Sequence, residues 1–111
     1  MGYRSTIYIK INKADKKLFE KAMDEATVLE PGFRGYFDED EDNGKNDYLR
    51  YTASYLKWYS SYSSVSIINN FINDDSGEHL RAMIAIGEDD ATESFGSPYE
   101  LDMYTTTDLE W

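Results

Sequence analysis

A change of hydrophobic period near the N-terminus is the feature that most restricts the fold of this chain. Over residues 5–11, isoleucines alternate with polar or aromatic residues, and this period of two predicts a half-buried strand. From Lys13 to about residue 29, apolar residues recur every three or four positions, which predicts an amphipathic helix. Asn12 can cap this helix, and Pro31 with Gly32 can end it. The predicted buried stripe contains Leu18, Ala22, Ala26 and Leu29, widened by Phe19 and Met23.

The rest of the chain predicts further strands and a second helix. Residues 33–37 and 48–59 are predicted strands, and the second has a bulge near Ser54 and Tyr55 because its apolar residues change parity there. Serines at 60–64 favour a cap for a helix over residues 64–73. Residues 80–86 alternate again, an acidic loop is predicted over 87–98, and a last strand over 99–107. The residues predicted to face inward in the 80–86 strand are Leu80, Ala82, Ile84 and Ile86.

These elements predict one α+β domain over residues 1–111. We expect a two-layer sandwich with a mostly antiparallel sheet and two helices on one face. The element order predicts a ferredoxin-like arrangement with an extra C-terminal strand.

Five consecutive carboxylates occupy residues 38–42, and the charge of the chain changes sign there. Up to Phe37 there are seven Lys and Arg against five Asp and Glu, and after it four against seventeen. Because Asn43 and Gly44 follow, the run predicts the tip of a hairpin. An EF-hand loop needs a glutamate at its twelfth position, where the two possible frames place Leu49 and Arg50, so no metal site is predicted.

The net charge of −11 disfavours direct binding of nucleic acid or anionic lipid, and it favours a partner with a basic surface. The absence of cysteine excludes disulfides and thiolate sites. No apolar run is long enough for a membrane span, and no signal-peptide pattern is present. These features predict a cytoplasmic protein without a cofactor.

Catalytic constellations are not recognisable in the sequence. His79 is the sole histidine and has no identifiable orienting partner, and the acidic stretch over residues 88–93 offers mutual repulsion and water instead of an apolar pocket. We therefore predict that the protein is not an enzyme.

Aromatic residues cluster over residues 48–62, on both faces of a predicted strand. A two-layer sandwich buries only one face of its sheet, so several rings are expected at the surface beside the acidic segments. The predicted partner-binding residues are Asp38, Glu39, Asp40, Glu41, Asp42, Trp58, Tyr59, Tyr62, Glu88, Asp89, Asp90 and Glu93.

The opening residues Met1, Gly2, Tyr3, Arg4 and Ser5, running into a strand, resemble a group of small phage and prophage proteins. Lys57, Trp58 and Tyr59 before a helix, and Ile86, Gly87 and Glu88 closing a strand, are similar too. The group has no assigned activity, so no functional residue follows from the resemblance. It implies an accessory phage protein acting in the cytoplasm of a bacterial host, and small acidic phage proteins often resemble anti-restriction or anti-CRISPR inhibitors, some of which mimic DNA.

Three non-enzymatic functional hypotheses follow from the sequence. The first is a counter-defence inhibitor that binds a basic, nucleic-acid-binding surface of a host protein. The alternatives are an immunity-type or small-ligand-binding module whose aromatic residues line a pocket, and a homo-oligomeric α+β domain, such as a homodimer, without mimicry.

Overall fold

The first strand and the first helix form where the sequence predicts them. The computed structural model describes residues 4–41, 48–59, 61–74, 79–89, 91–98, 104–105 and 109–110. Strand β1 is Ser5–Asn12, and a 3-10 helix at Lys13–Asp15 leads into helix α1, Lys16–Leu29. Asn12 Oδ1 accepts a hydrogen bond from Ala14 N at 2.8 Å, so the predicted cap is confirmed at the 3-10 helix.

The later elements complete a five-stranded antiparallel sheet. They are a 3-10 helix at Phe33–Tyr36, strands β2 Asp38–Glu41 and β3 Tyr48–Leu56, helix α2 Ser63–Asn73, and strands β4 Arg81–Gly87 and β5 Thr92–Gly96. The strand order is β2-β3-β1-β4-β5, and each neighbouring pair is antiparallel. The predicted α+β class is confirmed.

The segment around the acidic run differs from its prediction. The predicted strand over residues 33–37 is wrong, because Gly32 adopts a left-handed conformation (φ 90°) and starts the 3-10 helix at Phe33–Tyr36. The prediction that the acidic run is a hairpin tip is wrong for residues 38–41. These residues form edge strand β2, which pairs with β3. Carboxylates suit an edge strand, since their charge discourages pairing with another chain. The predicted turn at Asn43 and Gly44 lies outside the described residues.

The predicted acidic loop over residues 87–98 is wrong in its second half. Thr92–Gly96 forms strand β5, which pairs with β4 from Ile86 to Ala82. Its residues are mostly exposed, so no apolar alternation marks the strand in the sequence. In the predicted last strand, Tyr104–Thr105 forms β6 and pairs with β7, Leu109–Glu110, in a separate two-stranded sheet; the other residues of the range 99–107 lie outside the described part of the chain.

Both helices contribute buried residues to the same core as the three central strands. The buried members of this core are Ile7, Ile9, Ile11, Phe19, Ala22, Met23, Ala26, Phe33, Leu49, Tyr51, Ala53, Ile68, Ile72, Met83 and Ala85. The predicted stripe of α1 is rotated, because Leu18 and Leu29 are 54% and 57% exposed. Phe19 takes the central position instead, with its ring 4.6 Å from that of Tyr51 and 5.4 Å from that of Phe71.

Strand β4 divides its buried residues between the two faces of the sheet. The predicted inward set does not line the main core, since Met83 and Ala85 do so and Leu80 is 39% exposed. Ala82 and Ile84 form a second, smaller cluster with the half-buried Tyr8, Tyr48 and Ile86. Within the described segments, no helix is long and apolar enough to cross a membrane.

Tyr51 is the one core residue whose hydroxyl finds no hydrogen-bond partner among the described residues. Burial raises the pKa of Tyr51 above its ordinary value, and the charges of Glu39 and Glu20 add to this effect against a smaller opposing effect of Arg34. Above about pH 10 the unfolded chain therefore loses this proton while the folded chain keeps it. The contribution of Tyr51 to stability is complete below that pH and is lost as the pH rises.

Tyr51→Phe is expected to remove this pH dependence. Between pH 9 and 11, the free energy of unfolding of the wild type should fall more steeply than that of the variant, by at most about 1.4 kcal/mol per pH unit. At pH 7 the variant should be equally stable or up to about 1 kcal/mol more stable, because an unpaired buried hydroxyl is removed. Urea denaturation at each pH measures both effects. A variant that follows the wild-type slope would show that Tyr51 is not the residue responsible.

Candidate functional site

Trp58 lies just beyond the end of β3, and three contacts hold it in place. Its Nε1 donates a hydrogen bond to Asn69 Oδ1 on α2 at 3.2 Å. Its ring lies 6.0 Å from the ring of Phe33 and, in an edge-on arrangement, 6.0 Å from that of Phe37. Trp58 is therefore a fixed and half-buried ring, which is the kind of side chain that anchors an interface.

The predicted bulge at the end of β3 is confirmed, and it exposes Tyr55. Ser5 pairs with Leu56 but Ile7 pairs with Ala53, so β3 carries an extra residue there. Tyr55 has a φ of 56° and is 66% exposed. Because a positive φ is costly for a tyrosine, the surrounding contacts must hold this conformation. One of them is a hydrogen bond of 3.1 Å donated by Arg4 Nη1 to the Tyr55 carbonyl.

Tyr59 and Tyr62 extend the aromatic surface towards α2. Their rings lie 5.3 Å apart in an edge-on arrangement, and the Tyr62 N–H donates to the Tyr59 carbonyl at 2.9 Å. The predicted serine cap is wrong: Tyr62 is the N-cap residue of α2 and makes no side-chain capping bond. Ser64 Oγ instead donates to Glu30 Oε1 at 3.0 Å.

Glu93 is the predicted acidic residue that the fold brings to the aromatic surface. A shallow depression of about 340 Å³ is lined by Trp58, Tyr59, Ser61, Asn69 and Glu93. Glu93 pairs with Ala85 in the sheet, on the row that also contains Ile7 and Ala53. Trp58, Tyr59, Tyr62 and Glu93 form a contiguous set, which we call the docking patch.

The acidic run lies on the opposite edge of the sheet from Glu93. Strands β2 and β5 are the two edges of the five-stranded sheet. Four inter-strand spacings of about 4.8 Å therefore separate them, roughly 19 Å. Asp38 and Glu39 are exposed, and Glu39 forms an ion pair of 3.1 Å with Lys16. Asp40 and Glu41 pair with β3 through their backbone. Asp42 lies outside the described residues.

Glu88 and Asp89 have local structural roles at the turn after β4. Arg4 N donates to Glu88 Oε1 at 3.0 Å, and Glu88 N donates to the Arg4 carbonyl at 3.1 Å. Asp89 Oδ1 accepts from Ala91 N at 3.1 Å. These bonds stabilise the turn, while both side chains stay exposed at the same end of the sheet as Arg4. The remaining predicted residue of this segment, Asp90, lies outside the described part of the chain.

A second concave region shares Trp58 with the first. It has a volume of about 340 Å³, and we call it the aromatic cleft. Its aromatic lining residues are Phe33, Tyr36, Tyr55, Trp58 and Tyr62, and its charged ones are Arg4, Lys57 and Glu30. A hydrogen bond to Glu30 raises the pKa of Tyr36, with burial and the charge of the same carboxylate adding to it.

The acidic side chains do not converge on a metal site in the part of the chain that the structure describes. Among those residues, no group of three or more His, Asp or Glu side chains is placed to hold a metal ion. His79 is exposed, just before β4.

Comparison with protein-family models, curated proteins and solved structures found no match to this chain. The two surfaces around Trp58 are therefore the basis for assigning a function.

Proposed function

We propose that this protein is a non-enzymatic, phage-type accessory protein that binds a basic surface of a host protein through the docking patch. In this proposal it acts in the bacterial cytoplasm as a counter-defence inhibitor, and its carboxylates occupy a surface that the host protein uses for nucleic acid. The proposal rests on the observation that Glu93 lines the same depression as Trp58 and Tyr59. Rigid aromatic anchors with a carboxylate at their edge suit a basic partner.

The acidic residues outside the docking patch act at longer range in this proposal. Asp38 and Glu39 lie on the opposite edge strand from Glu93, about 19 Å from β5. With a net charge of −11, they contribute to a field that speeds encounter with a basic protein. Mimicry of nucleic acid would then depend more on the overall charge of the protein than on one continuous acidic face.

Two single substitutions in the docking patch are expected to weaken capture of a host partner. Tyr59→Ala removes an aromatic anchor, and Glu93→Lys reverses the charge at its edge. Each should lower the affinity about tenfold or more, which corresponds to about 1.4 kcal/mol. The measurement is a pull-down from bacterial lysate at rising salt, followed by titration of the purified partner.

Glu25→Lys is the matched control, because it makes the same charge change at an exposed position of α1. We expect it to slow association slightly and to leave the bound complex intact. Equal losses of affinity for Glu25→Lys and Glu93→Lys would mean that net charge alone governs binding. The assignment of the docking patch as the binding surface would then be wrong. A partner captured equally well by Tyr59→Ala would also contradict the proposal.

The mass of the purified protein in solution distinguishes the homodimer alternative from the proposed function. A dimer that Tyr59→Ala dissociates, with no host protein captured, would assign the docking patch to self-association. A monomer in dilute solution, together with salt-sensitive capture of a basic protein, supports the proposed function.

A further inference from the structure

The lining of the aromatic cleft carries a net positive charge. Arg4 and Lys57 contribute two positive charges to its lining and Glu30 contributes one negative charge, so the lining carries +1 in a protein of net charge −11. The bulk of this protein repels anions. A small anion in the cleft must therefore be held by local contacts with its lining residues.

The floor and walls of the aromatic cleft suit a planar ring. Phe33 is buried, and its ring is tilted by 31° to that of Trp58 at 6.0 Å. Tyr36, Tyr55 and Tyr62 stand around this floor with 42%, 66% and 39% of their surfaces exposed. Stacking of a base on such rings contributes about 1–3 kcal/mol. A volume of about 340 Å³ is at the lower end for ligand pockets and suits a single nucleotide.

The basic side of the cleft is built around the bulge of β3. Arg4 Nη1 donates to the Tyr55 carbonyl, which holds the guanidinium beside the bulge, and Lys57 lies two residues further along the chain. Arginine and lysine together provide donors for phosphate oxygens. Because there are two cations and one carboxylate, a single phosphate group fits the charge better than a triphosphate.

Glu30 provides an acceptor held in a defined position. Ser64 Oγ donates to it at 3.0 Å, and the Tyr36 hydroxyl also hydrogen-bonds to it. A carboxylate has about four lone-pair positions, so it can accept a further bond from a ligand amino group. An exocyclic amine on a purine meets this requirement.

We propose that the aromatic cleft binds a purine nucleoside monophosphate, with the base on the aromatic floor and the phosphate at Arg4 and Lys57. Glu30 accepts from the amino group of the base. The cleft shares Trp58 and Tyr62 with the docking patch, but Tyr59, Glu93 and the charged residues of the cleft each belong to one site alone, so the two proposals can be tested separately.

Adenosine 5′-monophosphate is the probe, and Trp58 is the reporter. The chain has two tryptophans, so Trp111→Phe leaves Trp58 as the single tryptophan, which can be excited selectively over the tyrosines. We expect saturable quenching by this nucleotide below about 1 mM. Adenosine and ribose 5-phosphate, which lack the phosphate and the base respectively, should each bind at least tenfold more weakly.

Two variants test the two halves of the cleft. Arg4→Gln with Lys57→Gln should reduce the affinity at least tenfold and abolish the preference for the nucleotide over adenosine. Tyr55→Asn should reduce it about fivefold or more, because asparagine tolerates the positive φ of this position while removing the ring. The matched control is Lys17→Gln, an exposed lysine of α1 that does not line the cleft.

Amide chemical shifts in NMR spectra give a second readout that does not depend on any variant folding. The nucleotide should shift the amides of Tyr55 and Lys57 and leave that of Lys17 unchanged. The proposal is overturned if neither quenching nor these shifts appear up to about 1 mM, or if ribose 5-phosphate binds as well as the nucleotide. Failure here leaves host-protein capture unaffected, whereas Tyr59→Ala and Glu93→Lys should leave nucleotide binding intact.

Discussion

Arg81→Met is expected to lower the free energy of unfolding by about 3–5 kcal/mol, because it leaves the buried carboxylate of Asp15 without its cation. Arg81 Nε donates to Asp15 Oδ2 at 3.1 Å, and both side chains are more than nine-tenths buried. Arg81 Nη1 also donates to the Phe71 carbonyl at 2.8 Å, and the guanidinium lies 3.9 Å from the centre of the Phe71 ring. One side chain thus ties the start of β4 to the start of α1 and the last turn of α2.

Urea denaturation of both single variants and of the double variant measures the coupling in this pair. Asp15→Leu alone should cost less, since Arg81 keeps its hydrogen bond to the Phe71 carbonyl and its ion pair of 4.0 Å with Asp74. The double variant should recover most of the loss, because both charges are then gone from the interior. Lys16→Met is the control: it breaks the exposed ion pair with Glu39 and should cost about 0–1 kcal/mol. If the losses of the two single variants simply add in the double variant, the interpretation of a coupled buried pair is wrong.

Gly96→Ala is expected to lower the free energy of unfolding by about 2–4 kcal/mol, for two reasons that can be measured separately. Gly96 has a φ of 70°, and a Cβ at this position would lie 2.1 Å from the Arg81 carbonyl oxygen. That oxygen accepts from Ser97 N at 2.9 Å, and Gly96 N donates to Asn73 Oδ1 at 3.1 Å. A shift of the backbone to relieve the clash would therefore disturb the junction of β4, β5 and α2.

Two other glycines separate the clash from the backbone strain. Gly32→Ala meets no atom within 4 Å but has a φ of 90°, so it should show the strain alone, at about 1–2 kcal/mol. Gly35→Ala has neither feature and should change stability by less than about 0.5 kcal/mol. The expected order of loss in denaturation is thus Gly96, Gly32 and Gly35. Equal losses at Gly96 and Gly32 would show that strand β5 moves freely enough to absorb the clash.

Local periodicity was sufficient to predict where β1 and α1 lie in the chain. The isoleucines of β1 alternate without interruption and are buried as predicted, but Lys10 on the opposite face is also buried, at 1% exposed. The bulge at Tyr55 was also predicted correctly, because an extra residue is what shifts the parity of a strand part-way along it. Strand β5 was missed for the opposite reason, since an exposed edge strand has no apolar alternation to mark it.

The acidic residues show where sequence reasoning about the site could not succeed. Glu93 and the run over residues 38–41 are all carboxylates in the sequence, yet the sheet order places them on opposite edges. Asp15 and Arg81 are 66 residues apart and carry no signal of their pairing. Glu30 is placed by Ser64 from another helix. Each of these relations depends on which strands and helices become neighbours.

The sequence by itself determined the α+β class, the alternation of β1 and the large negative charge, because these depend on local spacing and composition. The tertiary structure alone decided that Glu93 joins Trp58 and Tyr59 and that Arg4 joins Lys57 and Glu30. It also decided which leucines of α1 are exposed to solvent. The physical reason is that side-chain burial and the pairing of distant residues follow from the order in which the strands associate, and that order is a property of the whole chain.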